Sequence, residues 1–196
     1  NVPTIYEVPL KMRSENLDTT VLKKLRLESK REVDMEAWND FLDRLNNPKY
    51  SVSIGLVGKY TELRDAYKSI AESLMHAGSV NLCEVNIKWI HSESIDEDNA
   101  GAVLTGLEGI IVAPGFGHRG MEGKIIAARF ARENNIPYLG ICLGMQVAVI
   151  EFARNVLKLH GADSTEMNPK TPFPVIDLME HQKGITNYGG TMRLGS

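Results

Sequence analysis

The chain has 196 residues, 43% of them hydrophobic, and a formal net charge of -3 from 22 basic and 25 acidic side chains. That is enough apolar material to bury a sizeable core, and the two signs of charge are interleaved, so no footprint of a nucleic-acid binder stands out. No apolar run approaches the ~18 residues of a membrane span and the N-terminus lacks a signal-peptide layout, which predicts a cytoplasmic protein with neither nucleic acid nor membrane as partner.

The chain opens at Asn1-Val2-Pro3 and closes at Arg193-Leu194-Gly195-Ser196, with no initiating Met and no polar tail, and is expected to be a piece of a longer protein. Residues 1–50 are rich in charge and carry Leu17, Val21 and Leu25 at helical intervals, which predicts short helices. Asp34 is positioned to cap a helix reaching about Leu45, with Trp38, Leu42 and Leu45 on one face, and Asn46-Asn47-Pro48 stops it. From Ser51 onward short apolar strands alternate with amphipathic helices, the pattern of an α/β fold with a mostly parallel sheet. Strands are expected at 52–57, 82–90, 109–112 and 138–141, the last two buried on both faces, with a further strand near 174–178. Helices are expected at 66–76, 122–133 and 145–159.

In such sheets the chemistry gathers at the carboxyl ends of strands. After the fourth strand, Gly140-Ile141-Cys142-Leu143-Gly144 repeats the glycine-x-nucleophile-x-glycine arrangement of a nucleophile elbow, with Cys in place of Ser. The turn would lift the sulfur to a helix N-terminus, where free N–H groups and the helix dipole favour a thiolate, and the Leu143 amide would face an oxyanion. On spacing alone, a small buried hydrophobe at a strand end fits Cys142 equally well. The only other cysteine, Cys83, falls inside an alternating strand and reads as core. The glycine-rich loop Pro114-Gly115-Phe116-Gly117 follows the third strand and could supply a second oxyanion amide or be a plain turn. A cysteine nucleophile needs a general base, and only His160 and His181 follow Cys142. His160 would lie roughly 27 Å along the helix and His181 falls in a polar turn, so neither suits the role.

Beyond these elements, Gly140-Ile141-Cys142-Leu143-Gly144-Met145-Gln146 resembles the nucleophile segment of class I glutamine amidotransferases. Longer stretches resemble the CTP synthase family. They include Tyr6-Glu7-Val8-Pro9-Leu10, Val57-Gly58-Lys59-Tyr60, Asp65-Ala66-Tyr67-Lys68-Ser69-Ile70, Ser164-Thr165-Glu166 and Gly189-Gly190-Thr191-Met192-Arg193-Leu194-Gly195. The run from Arg129 to Leu139 belongs with them, so the resemblance covers essentially the whole chain.

The resemblance implies a flavodoxin-like class I amidotransferase domain preceded by a short helical segment. Residues 1–33 would end the synthetase (amidoligase) domain, residues 34–50 would form an interdomain helix and linker, and residues 51–196 would be a C-terminally incomplete amidotransferase domain. It implies an enzyme making CTP from UTP, ATP and glutamine, with ATP and magnesium held in the synthetase half and no cofactor in this chain. Cys142 would be the nucleophile, and Gly115, Leu143, Gly144, Met145 and Gln146 would bind glutamine. Glu166 would hold its α-ammonium and Arg193 its α-carboxylate; without the resemblance both would read as solvated surface charges. The family's partner domain and homotetramer are implied as well.

Two departures stand out. Family members often read Pro-Gly-Gly-Phe-Gly where this chain has Ala113-Pro114-Gly115-Phe116-Gly117, so Pro114, lacking an N–H, stands where a glycine is usual and either Gly115 or Phe116 must supply the amide. The family's His-x-Glu pair would lie beyond residue 196, so these residues alone are expected to be inactive. Two other readings stay open: an amidotransferase-like module without catalysis, and a cysteine hydrolase of the same fold.

Overall fold

The computed structural model describes residues 2–29 and 31–179. The chain divides into two compact units, residues 1–51 with 72–85, and residues 52–71 with 86–196.

In the first unit, α1 (Val8–Ser14), α2 (Leu17–Leu25) and α3 (Glu36–Asn46) follow a short 3-10 turn. Pro9 occupies the first turn of α1, where a missing N–H costs nothing. α2 carries the expected Leu17, Val21 and Leu25 stripe, and all three side chains are exposed. Asp34 acts one position further out than expected: its carboxylate accepts from the Glu36 amide at 2.8 Å while Met35 holds the cap position. Trp38 Nε1 donates to the Tyr6 carbonyl at 2.8 Å, and Tyr6 meets Phe41 edge-on with ring centres 5.2 Å apart. The Tyr6 hydroxyl donates to Glu72; its burial and that carboxylate push it up to about 12.

The second unit is built on a sheet of order β2-β1-β3-β4, from β1 (Tyr50–Gly58), β2 (Cys83–His91), β3 (Gly109–Val112) and β4 (Tyr138–Gly140). β3 lies parallel between β1 and β4, with Val57 opposite Val112 and Val112 opposite Gly140. β3 is buried throughout, as its apolar run predicts. β4 is not: it is the outer strand of the sheet among the described residues, and Leu139 is 55% exposed because only one face of this three-residue strand is covered. Cys83 also departs from expectation, since it opens β2 and is only half-buried.

The remaining helices are α4 (Lys68–Val80), α5 (Ala100–Leu104), α6 (Met121–Glu133) and α7 (Leu143–Asn155). Sequence periodicity missed α5, whose five residues are too few to show a repeat, although Ala100 and Leu104 are buried. α7 begins two residues earlier and ends sooner than expected; the apolar pattern continues through Val156 and Leu157 after the helix has stopped. α6 and α7 are tied together by Arg132, which donates two hydrogen bonds from Nε and one of 2.7 Å from a terminal nitrogen to the buried Glu151. The further strand expected near 174–178 is β6 (Pro174–Ile176), which pairs with β5 (Asp163–Ser164) in a separate two-stranded ribbon.

Candidate active site

β3 and β4 deliver their carboxyl ends side by side, and the Ile141 amide donates to Val112 O at 3.0 Å to extend that pairing one residue beyond β4. The chain then reverses through Cys142 into α7. Cys142 has φ 55° and ψ -106°, outside the regions an L-residue adopts freely, at a cost on the order of 1–3 kcal/mol. The strain therefore sits on the cysteine itself. The flanking glycines serve a different need, which is room. A Cβ on Gly140 would come within 2.4 Å of the Gly144 carbonyl, and one on Gly144 within 2.2 Å of Val112 O.

This geometry leaves Cys142 exposed at the start of α7. Among the first amides of that helix, Gly144 donates to Ile141 O at 3.0 Å, and Met145 and Gln146 donate to Cys142 O at 3.1 and 3.3 Å. The Leu143 amide forms no such bond among the described residues and is left free beside the sulfur. The hydroxyl of the half-buried Tyr138, pushed well up by burial and by Glu151, donates to Gly144 O at 2.7 Å and fixes the first turn from below.

The loop after β3 is held by two lysines. Lys59, just past the end of β1 and 4% exposed, donates from Nζ to Phe116 O and, at 3.0 Å, to Gly117 O. Burial, then the charge of Arg119, pull its ammonium below the usual lysine range, against the opposing pull of Glu93 and Glu166. Lys124 on α6 is fully buried and donates to Ala113 O at 3.0 Å; burial first, then Lys59, bring it down to about 8. Because the carbonyl of one residue and the amide of the next point opposite ways across a trans peptide, turning Phe116 O toward Lys59 turns the Gly117 amide away from it. That amide meets Glu166 Oε1 at 3.5 Å, the outer limit of a hydrogen bond. A Cβ on Gly115 would lie 3.6 Å from Leu143 Cδ2, so the loop glycine passes close to the elbow.

Glu166 is exposed, and its amide donates to Ser164 Oγ at 3.2 Å. It lines a pocket of about 360 Å³ with Gln146, Ser164, Thr165, Ile176, Asp177 and Leu178. The Gln146 Oε1 atom is buried without a hydrogen-bond partner, so its carbonyl has acceptor capacity to spare. Gly144 is buried and Met145 half-exposed on the same turn. The structure thus brings Cys142, Leu143 and Gly115 together and sets Gln146 and Glu166 on one pocket; Arg193 and His181 lie outside the described residues. His160 follows the far end of α7, roughly 20 Å from its start by helix rise. Among the described residues no cluster of His, Cys, Asp and Glu could hold a metal ion.

Sequence reasoning gave no role to Lys59 or Lys124. A signal for Lys124 was present: it is the one charge in the otherwise apolar run from Gly123 to Ala128.

A family model described as glutamine amidotransferase class-I matches residues 62–196, which include the elbow, the loop after β3, Lys124 and Glu166. This chain belongs to the class I glutamine amidotransferases. Among curated relatives, the amidotransferase is 62% identical over 193 residues to the CTP synthase of Cytophaga hutchinsonii, an alignment covering 98% of this chain and 36% of that protein. It is 55% identical over 199 residues to the CTP synthase of Methanocaldococcus jannaschii, covering 98% and 37%. The chain therefore spans little more than a third of the length of these relatives. Among solved structures, the amidotransferase is similar to the Trypanosoma brucei CTPS glutaminase domain with bound acivicin, at a TM-score of 0.64 and 40% identity, over 67% of this chain and 52% of the other.

Proposed function

We propose that this chain is the glutamine-hydrolysing part of a CTP synthase. The observation that carries the reading is the strained, exposed Cys142 at the start of α7 with a free Leu143 amide beside it, in a chain 62% identical to a CTP synthase. In this reading the Cys142 thiolate attacks the side-chain amide carbon of glutamine. The carbonyl electrons move onto oxygen, and the Leu143 and Gly115 amides stabilise that oxyanion. Collapse of the intermediate breaks the C–N bond, ammonia leaves with an added proton, and water then cleaves the glutamyl thioester to glutamate.

Substrate recognition follows from the pocket. Glu166 holds the α-ammonium of glutamine, Gln146 offers its unfilled carbonyl, Gly144 and Met145 shape the entrance, and Arg193 takes the α-carboxylate. The family's His-x-Glu pair supplies the base by resemblance. Residues 1–33 then end the synthetase domain and residues 34–50 link it to the amidotransferase domain of 51–196. The synthetase domain binds UTP, ATP and magnesium and uses the ammonia, within a cytoplasmic homotetramer.

The test is Cys142→Ala in the intact protein. CTP formation from glutamine should disappear while formation from added ammonia persists, because the two chemistries occupy different domains. Loss of both together, or retention of the glutamine-dependent rate, would overturn the proposal.

A further inference from the structure

Lys124 is a fully buried ammonium, and among the described residues no carboxylate is bonded to it. Its Nζ donates to Ala113 O at 3.0 Å, at the root of the loop carrying Gly115, and a Cβ on Gly115 would lie 3.5 Å from that nitrogen. Since Pro114 has no N–H, turning the Ala113 carbonyl down to Lys124 takes no amide away from the loop.

The charged groups that act on Lys124 are Lys59 from the end of β1, which disfavours its charge, and Cys142 from the elbow, which favours it. The residues of β3 and of the first turn of α7 are all non-ionisable. On its own helix Glu122 is engaged by Arg154, and beyond Lys59 stand Arg119 paired with Glu93 and, further out, Glu166. Burying a cation beside a second cation is costly, and a methionine of similar size would fill the same space without that cost. The arrangement becomes favourable when negative charge appears at Cys142.

We infer that Lys124 is a positioning residue of this site, anchoring the Gly115 loop through the Ala113 carbonyl and holding positive charge against the negative charge that forms at Cys142 and on the oxyanion. This rests on the reading of Cys142 as the nucleophile. Lys124 touches no substrate in this account and acts through the loop and the sulfur.

The test compares two alkylating probes in the intact protein, anionic iodoacetate and neutral iodoacetamide, with Cys142 modification followed by mass mapping. Both probes consume the same thiolate, so the ratio of their rates cancels its population and reports the local charge. Lys124→Met should lower the iodoacetate-to-iodoacetamide ratio about fivefold, and Lys124→Arg should restore most of it. Glutaminase kcat should fall at least about tenfold in Lys124→Met with KM changed far less. In the unmutated protein the ratio should also fall as pH rises past about 8, where Lys124 loses its proton. A ratio unchanged in Lys124→Met, or flat from pH 7 to 10 in the unmutated protein, overturns the inference. If Cys142 resists both probes, or Cys142→Ala keeps full glutaminase activity, the nucleophile reading falls and this inference with it. A reactive Cys142 with an unchanged ratio removes the role of Lys124 alone.

Discussion

Gly144 packs its Cα against Val112 so closely that an added Cβ would stand 2.2 Å from the Val112 carbonyl oxygen. That oxygen already accepts from Ile141 and belongs to the centre of the sheet, so it has no freedom to yield. Gly144→Ala should therefore push the start of α7 off the sheet, destabilising the domain by about 1–3 kcal/mol. The displaced sulfur should cost roughly a hundredfold in glutaminase rate, the scale of a 1 Å misplacement of reacting groups. Chemical denaturation and a glutamate-release assay check both; a stable, active Gly144→Ala would mean the first turn of α7 tolerates movement.

Glu166 reaches the loop after β3 through the long contact from the Gly117 amide to its carboxylate. Such a weak tether leaves the carboxylate available to an ammonium. Glu166→Gln should raise the KM for glutamine about tenfold to a hundredfold, the value of a hydrogen bond to a charged group, and leave ammonia-dependent synthesis unchanged. An unaltered KM would return Glu166 to the status of an exposed surface acid.

A thiol-directed electrophile at low excess should label Cys142 before Cys83. Cys142 is exposed at an elbow with a free amide beside it, whereas Cys83 is half-buried in β2 with its sulfur 3.6 Å from the Glu84 carbonyl. The half-burial of Cys83 means that it should react slowly rather than not at all. Peptide mapping that found Cys83 modified first would contradict the assignment of the nucleophile.

Burial of Lys124 makes stability depend on pH. Its ammonium is held near 8 in the folded protein against about 10.5 in an unfolded chain, so folding is penalised while the lysine must be charged, below about 8. The penalty fades as pH rises toward 10.5, because the folded state then gives up the proton first. Relative to Lys124→Met, the unmutated protein should gain about 2 kcal/mol of stability between pH 7 and pH 10. Urea titrations of the two proteins at those pH values measure it, and a constant difference would mean that Lys124 is solvated in solution.

Much of the fold was legible from the sequence because its signals are local. The apolar run of Gly109–Val112 has no use except as a buried central strand, and the glycine spacing around Cys142 announced a strand-to-helix reversal. What was missed depended on neighbours distant in sequence. The exposure of Leu139 follows from one face of β4 being left uncovered, and the ribbon of Asp163–Ser164 with Pro174–Ile176 forms without a distinctive pattern in either strand. The position of the elbow was legible from the glycine spacing, but nothing in that spacing said that Cys142 itself takes the positive φ while the glycines supply room. Lys59 gave no sign of its place because a lysine in sequence reads as a solvated charge until burial is known, and the apolar run around Lys124 was the one hint of burial beneath the loop.

The backbone of Cys142 bears on how this chain could lose its chemistry over evolutionary time. A residue with φ 55° and ψ -106° is one that glycine would occupy with less strain than any side-chain-bearing residue. Cys142→Gly thus removes the nucleophile and relieves about 1 kcal/mol or more of local strain in one change. Inactivation at this position is downhill in stability, so a lineage freed from the need to hydrolyse glutamine would meet no folding barrier to becoming a silent relative. Under the proposed function, the cysteine of this chain stands against the conformational preference of the fold.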